Sequence, residues 1–552
     1  MKNKLLVLLC LLTLGSVTAQ VKLSKDYSYS VSKPYKVFDG DKTYFTYKGE
    51  VLVFKKNKKN ILVQKFDAVS LKELVRTEYK IKDLFPKNYE IEGIEQIKEN
   101  VFIYYSSWDG GKNKKERLFV KKMNFSEGKL IEGFDKQIFS IDGKVSGTQV
   151  RTSGGFGLKI VDKFNIIKIK NVPNFLVKYR RKPKVKNDKK SHDIIGLKVF
   201  DKDLNEIWGS EFKMPYTERQ MDIIDYAIDF DANIYVLVKK YFDNSNKDKR
   251  KDESNYQLEL FKYEKSTKEL IVNKINIGDN YISELGLYVN DKKEIYCAGY
   301  YNNGESWSDV DGVVVFKTDE IENVPAESFY EIPVEILNQY VSKKAAKKNK
   351  KKEKKDEAEF KSLKLRKLIF HEDGGIDIIG EQFYIKEHIS HSSKGMRIRY
   401  TYHYNDILVS KINASGSLDW MRKIPKRQKG LSGEGGMSFT HFYTNNNHYL
   451  VYLDNIKNIK LPLDKAPAYH TDKMGGYLTA CKINYTTGDV TKGAIFDSRR
   501  LKGGLAAFQF KTDRIQQTKD NEFVIEVYKK KKQDILIKVK IVEEENIEES
   551  KL

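Results

Sequence analysis

Histidines are the residues of this chain with the clearest potential for metal chemistry. The chain has eight, and most lie between His371 and His470. His388 and His391 are three residues apart, His403 follows them, and His470 comes one repeat later. Imidazole nitrogens bind Zn²⁺, but the usual zinc sites also need cysteine or acidic residues, and these are missing at ligand spacing. We therefore expect solvated loop histidines, and the sequence predicts no metal and no other cofactor.

Motifs for nucleophilic or phosphate chemistry are not recognisable in the sequence. It has no Gly-x-Ser-x-Gly elbow, and no glycine-rich loop ends in Gly-Lys-Ser/Thr. Paired carboxylates stay open as an alternative, because a repeat fold brings acids together from distant parts of a chain. An aromatic run over residues 400–404 suits stacking on sugar rings, although strand pairing explains it equally well.

Arginine and glycine occur together in three loop segments, 146–155, 427–436 and 499–504. Glycine lets backbone amides approach a ligand, and arginine can bind a carboxylate or phosphate through two hydrogen bonds. The alternative is that glycine only eases a turn in a crowded place. The candidate ligand-binding residues are Arg151, Arg427, Lys429, Arg499, Arg500 and Lys502.

The first nineteen residues are predicted to be a cleaved secretory signal. Lys2 and Lys4 precede an apolar run from Leu5 to Leu14 that is too short to span a bilayer. No later segment approaches the roughly 18 apolar residues that a transmembrane helix needs. The mature protein is therefore expected to be exported, to the periplasm or to the cell surface.

Two short motifs repeat along the chain and predict an all-β fold. Both combine a polar turn with strand-like β-branched and aromatic residues. The first is a hairpin whose turn begins with Asp, Asn or Glu, and its six copies lie at 65–74, 122–130, 199–208, 262–270, 411–420 and 482–490. The second is a polar turn followed by a strand, and its eight copies lie at 49–54, 99–104, 173–177, 232–236, 293–297, 375–379, 447–451 and 521–525.

Each repeat is predicted to be a sheet of four antiparallel strands, A to D. Residues 20–542 are then expected to form a single β-propeller of seven or eight sheets, with eight favoured, because radial packing buries the apolar faces of the sheets. The last repeat is one strand short, and the segment from Tyr27 to Tyr35 is predicted to supply it and close the ring. Residues 335–360 are expected to be a Lys-rich helical or disordered insertion, and residues 543–552 an acidic tail.

The repeated hairpin resembles that of the eight-bladed quinoprotein-like (PQQ-like) propeller superfamily. The residues that carry the resemblance are turn glycines at Gly128, Gly416 and Gly488, and tryptophans at Trp208 and Trp420 in the strand after the turn. The resemblance covers the layout of strands across the chain and implies a propeller fold. It implies no activity, and no cofactor-binding residue is carried over.

Positive charge is concentrated in one class of loop. The formal net charge is +23. Seven B–C loops together carry +19, whereas six C–D turns carry −5. Antiparallel alternation puts the B–C loops and the D–A connections on one side of a propeller, and the D–A connections lead towards its axial mouth. The alternative interpretation is that these charges bind no partner and only keep the loops solvated and the protein soluble.

A basic side suits an anionic partner. The predicted function is therefore an exported, non-enzymatic binding or scaffold propeller that binds acidic glycan, lipopolysaccharide or an acidic protein. Nucleic acid is not favoured. The alternative function is a polysaccharide hydrolase or lyase with its site at the axial mouth.

Overall fold

A computed structural model describes residues 23–542, with the exception of 112, 152–157, 171, 251–252, 304–308, 355–358, 393–394, 432–435, 472–474, 508–509 and 530. The predicted signal (1–19) and acidic tail (543–552) lie outside the described residues. No helix in the described part of the chain is long and apolar enough to cross a membrane.

Antiparallel strands make up most of the structure. The first fourteen are β1 (Tyr27–Val31), β2 (Tyr35–Lys36), β3 (Asp41–Tyr47), β4 (Glu50–Lys56), β5 (Asn60–Asp67), β6 (Glu73–Lys80), β7 (Tyr89–Ile97), β8 (Asn100–Asp109), β9 (Lys115–Asn124), β10 (Lys129–Asp142), β11 (Val145–Ser146), β12 (Thr148–Arg151), β13 (Leu158–Val161) and β14 (Phe164–Lys168). The next fourteen are β15 (Phe175–Arg181), β16 (His192–Phe200), β17 (Glu206–Thr217), β18 (Met221–Ile228), β19 (Ile234–Tyr241), β20 (Lys249–Arg250), β21 (Glu253–Ser254), β22 (Tyr256–Tyr263), β23 (Leu270–Ile275), β24 (Tyr281–Val289), β25 (Ile295–Asn302), β26 (Asp309–Val310), β27 (Gly312–Lys317) and β28 (Phe329–Glu331).

The remaining strands are β29 (Phe360–Lys361), β30 (Leu363–Phe370), β31 (Ile376–Ser392), β32 (Gly395–Ile412), β33 (Leu418–Ile424), β34 (Gln428–Gly430), β35 (Thr440–Thr444), β36 (Asn447–Asp454), β37 (His470–Thr471), β38 (Tyr477–Asn484), β39 (Val490–Asp497), β40 (Ile515–Lys519), β41 (Glu522–Lys529) and β42 (Gln533–Ile541). The helices are short: α1 (Ile81–Leu84), α2 (Val334–Leu337) and α3 (Lys343–Glu353). Single 3₁₀ turns occur at Ala326–Ser328, Ile456–Asn458, Lys502–Gly504 and Thr512–Arg514.

Eight antiparallel sheets of at least four strands occur in the described residues. Numbered along the chain and written from strand A to strand D, they are β3-β4-β5-β6, β7-β8-β9-β10, β14-β15-β16-β17, β18-β19-β22-β23, β24-β25-β27-β28, β30-β31-β32-β33, β35-β36-β38-β39 and β40-β41-β42-β1. The A strands of neighbouring sheets contact each other at β7–β14, β18–β24, β24–β30 and β40–β3, so the A strands are the innermost ones. The protein is therefore a β-propeller.

The two repeated motifs lie where the sequence predicts them. All six hairpin copies coincide with C–D turns, and all eight copies of the second motif coincide with the A–B turn and the start of strand B. The prediction that the N-terminal segment completes the last sheet is confirmed. β1 pairs antiparallel with β42 from Tyr27 opposite Ile541 to Val31 opposite Ile537.

The core lies between neighbouring sheets. Apolar clusters of buried side chains join each sheet to the next, for example Val451 and Ile525 between sheets 7 and 8. Val53 and Val524 join sheet 1 to sheet 8, so the ring is closed by packing as well as by strand pairing. The two hairpin tryptophans strengthen such contacts. Trp420 Nε1 donates to the carbonyl oxygen of Tyr485 in the next sheet at 3.0 Å.

A buried ionic network lies at the closure between sheets 8 and 1. Lys42 Nζ is 2.5 Å from Glu526 Oε2 and 2.6 Å from Asp534 Oδ2. Lys55 Nζ is 2.5 Å from Glu526 Oε1, and the hydroxyls of Tyr35 and Tyr44 donate to the same Glu526 carboxylate. Both acidic side chains are fully buried.

The predicted insertion is helical over part of its length. Ser342 caps α3 by accepting a hydrogen bond from the Ala345 amide at 3.3 Å, and no residue of α3 is buried. Just before it, the Tyr340 amide donates to the carbonyl oxygen of Leu463, which lies in the B–C connection of sheet 7. The insertion therefore lies on the side of the propeller that carries the B–C loops.

Candidate functional site

The side of the propeller that carries the B–C and D–A connections, here called the basic side, has one large projection. Strands B and C of sheet 6 (β31 and β32) continue far beyond the sheet as a two-stranded ribbon. We call residues 384–403 the arm. Its register runs from Tyr384 opposite His403 to Ser392 opposite Gly395. Because side chains of paired residues point to the same face of a ribbon, this register separates two different faces.

One face of the arm is apolar and exposed. Its cross-strand pairs include Ile385–Tyr402 and Ile389–Ile398. Ile389 is 55% exposed and Met396, opposite His391, is 61% exposed. Large side chains of this kind rarely stay exposed together on a soluble protein without a binding role. The apolar face is therefore a candidate contact surface.

The opposite face of the arm is basic. It carries Lys386, His388, Arg397 and Arg399, all exposed. The segment 386–399 has a net charge of +3. The arm is thus an amphipathic hairpin, with cations on one face and mainly isoleucine, tyrosine and methionine, together with Glu387 and His391, on the other.

Two of the predicted ligand-binding residues lie at the base of the arm. β34 pairs with β32, which places Lys429 opposite His403. The guanidinium of Arg427 lies 3.9 Å from the ring centroid of Tyr469, and Lys429 Nζ lies 4.6 Å from the same centroid. Both cations therefore share one aromatic ring, a contact that orients them without neutralising their charge.

The cations of the arm and its base lack acidic partners. Within the residues that the structure describes, no carboxylate forms an ion pair with Lys386, Arg397, Arg399, Arg427 or Lys429. Some arginines elsewhere are neutralised: Arg366 pairs with Glu381, Arg181 with Glu211, and Arg499 with Asp497. The base of the arm therefore has an uncompensated positive potential. We call Lys386, Arg397, Arg399, Arg427 and Lys429 the cation cluster.

The pKa of His403 is sensitive to that positive potential. Its ring is buried and stacks on Tyr384 with a centroid distance of 4.5 Å. Burial lowers the pKa of His403, and the charges of Lys429, Lys386 and Arg427 lower it further. His403 is therefore neutral near pH 7, and an anion bound beside it would raise its pKa.

The other predicted binding residues are placed apart from the cation cluster. Arg499 is held by Asp497 through two hydrogen bonds of 2.8 and 2.9 Å, and Arg500 beside it is exposed. Lys502 Nζ donates to the carbonyl oxygen of Tyr29 at 2.9 Å, on the outermost strand of sheet 8. These three residues lie at the rim and not at the axial mouth, because they form the outer beginning of their D–A connection.

Arg151 ends β12, which forms a hairpin with β13 in the connection from sheet 2 to sheet 3. The glycine-containing stretches 152–155 and 432–435, which follow Arg151 and Lys429 in the chain, lie outside the described residues. The structure therefore brings Arg427 and Lys429 together, and it does not bring them together with Arg499, Arg500 or Lys502.

An axial cavity of about 340 Å³ opens between the inner strands of sheets 6, 7 and 8. Its lining residues come from the middle of β30, from the first residues of β35 and β40, and from the segments just before those two strands: Arg366, Lys367, Ser438, Phe439, Thr440, His441, Thr512, Asp513 and Ile515. Asp513 is the one carboxylate among those lining residues in the described chain. The acid pair of a glycoside hydrolase is therefore not formed by this lining.

The histidines singled out in the sequence are not all solvated as expected: His388 and His391 are exposed, whereas His403 and His470 are buried. Within the described residues, His388, His391, His403 and His470 do not converge with other metal-ligating side chains. A different set does converge: His371, Asp377 and His448. This set was not predicted from the sequence because His448 comes from the next sheet, and the short spacing of His371 and Asp377 alone offers only two ligands.

Comparisons with known proteins give only distant structural likenesses. No family profile and no curated protein sequence matches the chain. Among solved structures, it is similar to a prolyl endopeptidase from a study of two such enzymes (10% identity, TM-score 0.37), covering 92% of this chain and 55% of that one. It is also similar to prolyl oligopeptidase B from Galerina marginata, with 10% identity and a TM-score of 0.36, covering 94% of this chain and 56% of that one. A third similar structure is a GH43_1 enzyme from Xanthomonas citri, with 9% identity and a TM-score of 0.25, covering 61% of this chain and 91% of that one. The chain thus spans little more than half the length of the first two, and likenesses at these values carry no argument about function.

Proposed function

We propose that this protein is an exported, non-enzymatic binding propeller that attaches to an anionic amphiphile, with lipopolysaccharide as the partner class. The observation that carries the proposal is the cation cluster, five lysine and arginine side chains without a carboxylate partner in the described residues, beside an exposed apolar ribbon face. Charged groups without an internal carboxylate partner are free to pair with phosphate or carboxylate groups of a ligand.

The two faces of the arm favour lipopolysaccharide over the other anionic partners. A soluble acidic glycan would use the cations and leave Ile389, Ile398 and Met396 in water. Lipopolysaccharide offers phosphate groups next to acyl chains, so it matches both faces of one narrow ribbon. The insertion helix α3, with seven lysines and one glutamate, lies on the same side and adds long-range attraction for an anionic surface.

The polysaccharide hydrolase alternative has less support. It needs two carboxylates at the axial mouth, and the described lining of the axial cavity offers only Asp513. Glu381 lies close by, but it is fully buried and bound by Arg366, Lys426 and Ser438. We therefore retain binding as the proposed function.

The test is binding to vesicles that contain lipopolysaccharide, measured by co-sedimentation against vesicles of zwitterionic phospholipid alone. Arg427→Glu/Lys429→Glu should weaken binding by about tenfold or more, since each lost surface charge contact contributes about 1 kcal/mol. Ile389→Ser/Ile398→Ser, on the apolar face, should also weaken it. High salt should reduce binding of the wild type.

The matched control reverses two exposed lysines at C–D turns on the opposite side, Lys202→Glu/Lys265→Glu. It introduces the same change in net charge and should leave binding nearly unchanged. Equal loss in the control and in the arm variant would contradict the proposal. If the wild type binds a soluble anionic polysaccharide equally well and Ile389→Ser/Ile398→Ser has no effect, the partner is a glycan and lipopolysaccharide is the wrong class.

A further inference from the structure

A cluster of histidine and carboxylate side chains lies on the opposite side of the propeller, near the A–B turns of sheets 6 and 7. His371 lies in the turn between β30 and β31, Asp377 is the second residue of β31, and His448 is the second residue of β36. One ligand atom from each of the three side chains lies within 4.8 Å of the others. His448 Nε2 is 3.0 Å from Asp377 Oδ2, and His371 Nε2 contacts the same oxygen.

Two buried polar atoms of this cluster have no hydrogen-bond partner among the described residues. They are His448 Nε2 and Asp377 Oδ1, and both side chains are fully buried. His448 Nε2 is close to the carboxylate, but the contact does not have hydrogen-bond geometry. Buried polar atoms are almost always satisfied in native proteins, so a pair of unsatisfied atoms at one spot indicates a missing partner. A cation would satisfy a ring nitrogen lone pair and a carboxylate oxygen together.

We infer that His371, Asp377 and His448 form a binding site for a divalent transition-metal ion, with Zn²⁺ as the ion that these ligands fit best. Two imidazole nitrogens and one carboxylate are a ligand set typical of zinc sites that keep a further position for water. Oxygen-only ligands would instead suit Mg²⁺ or Ca²⁺, and two imidazoles disfavour both ions.

The surroundings orient the ligands as an outer shell does in metal sites. His448 Nδ1 is 3.0 Å from His441 Nε2, and His441 Nδ1 is 3.1 Å from Lys367 Nζ. The ammonium of Lys367 can only donate, so without a metal His441 accepts from Lys367, donates to His448 Nδ1 and leaves the His448 proton on Nε2 beside Asp377. Metal binding through Nε2 requires the other tautomer, in which that proton is lost from Nε2 and His448 Nδ1 donates to His441. Hydrogen bonds of this type fix the ring and the tautomer of metal-binding histidines.

The turn that carries His371 is also held in place. The ring centroids of His371 and Tyr485 are 4.2 Å apart. The Tyr485 hydroxyl donates to Asp373 in the same turn at 2.7 Å. Gly374, with φ of +88°, permits the tight turn. Glu372 and Asp373 are exposed on this turn, and the ammonium groups of Lys292 and Lys411 lie close to it.

The test is titration of the full-length protein, freed of metal by a chelator, with ZnCl₂ in a calorimeter. We expect one Zn²⁺ per chain and a melting temperature that rises with Zn²⁺ concentration. Replacing Zn²⁺ by Co²⁺ should give visible ligand-field absorption of a low-symmetry nitrogen and oxygen site. His371→Ala and Asp377→Asn should each weaken Zn²⁺ binding by more than about 100-fold, which exceeds typical outer-shell effects.

The matched control is His388→Ala, which removes an exposed histidine of the arm and should leave Zn²⁺ affinity unchanged. Circular dichroism in the presence of chelator checks that each variant is folded. His371→Ala changes a residue in a turn, so it tests the site even if Asp377→Asn, at a buried position, does not fold. The inference is overturned if the folded wild type shows no one-to-one Zn²⁺ binding, or if His371→Ala binds Zn²⁺ as tightly as the wild type.

Discussion

Replacing Glu526 by glutamine should destabilise the propeller at the point where its ring closes. Glu526 accepts from the ammonium groups of Lys42 and Lys55 and from the hydroxyls of Tyr35 and Tyr44. The two lysine side chains are 5% and 0% exposed, so water cannot replace the lost charge. In Glu526→Gln, two buried ammonium groups face a single carboxylate, that of Asp534.

The expected loss of unfolding free energy is large because the substitution leaves a buried positive charge uncompensated. Removing one partner of a buried ion pair costs about 3–5 kcal/mol of unfolding free energy. For a chain of this length that unfolds cooperatively, this corresponds to a fall in melting temperature of about 3–5 °C. Urea denaturation followed by circular dichroism measures the free energy directly. The control is Glu264→Gln, which breaks a half-exposed pair with Lys262 and should cost about 0–1 kcal/mol.

The pH dependence of the same variant provides a second check. Burial alone would raise the pKa of Glu526, but the ammonium groups of Lys55 and Lys42 hold it below its usual range. A carboxyl with a lowered folded-state pKa stabilises the protein above the unfolded-state pKa, about 4.3, and loses that contribution as pH falls below it. The difference in unfolding free energy between wild type and Glu526→Gln should therefore have its full value at pH 7. Below about pH 4.3 it should shrink by about 1.4 kcal/mol per pH unit. A Glu526→Gln variant as stable as the Glu264→Gln control at pH 7 would refute the reasoning.

Three further predictions concern the closing strand, the tryptophan contacts and the arm. Deleting residues 21–37 removes the strand that completes sheet 8, so the melting temperature should fall sharply, and an unchanged melt would show that sheet 8 does not need it. Trp420→Phe leaves the buried carbonyl oxygen of Tyr485 without its donor, so urea denaturation should show a loss of about 1–3 kcal/mol of unfolding free energy. A loss near zero would mean that the packing of the aromatic ring, and not the hydrogen bond, stabilises the contact between the two sheets. In an NMR titration, His403 should titrate below its ordinary pKa of about 6.5, and Lys429→Glu should raise that pKa; the same pKa in both proteins would contradict a cationic surrounding.

The strand pattern could be read from the sequence because its causes are local. Most of the C–D turns that carry the motif are organised by a side chain at their own start, namely Asp67, Asn124, Asp201, Asn413 and Asn484. Asn413 Oδ1, for example, accepts hydrogen bonds from the amides of Ser415 and Ser417 at 3.0 Å, and Gly416 supplies a φ of +82°. Turn chemistry of this kind acts over four or five residues, so every copy of the motif predicts its own hairpin.

The candidate site was only partly predictable, because it depends on which loop charges are neutralised. Arg427 and Arg499 look alike in the sequence, each followed by glycine in a D–A connection. The structure pairs Arg499 with Asp497 and places Arg427 on Tyr469 with no carboxylate. Such pairing depends on side-chain positions, which spacing along the chain does not determine.

The sequence by itself thus determined the all-β class, the order of the sheets and the closing strand, since these follow from period-two patterning and local turns. Only the tertiary structure decided that β31 and β32 extend as an amphipathic arm, because the register of a long hairpin sets which side chains share a face. It also decided that His371 and Asp377 meet His448, about seventy residues further along the chain. Radial packing of neighbouring sheets creates such contacts, and they have no signature in the spacing of residues along one strand.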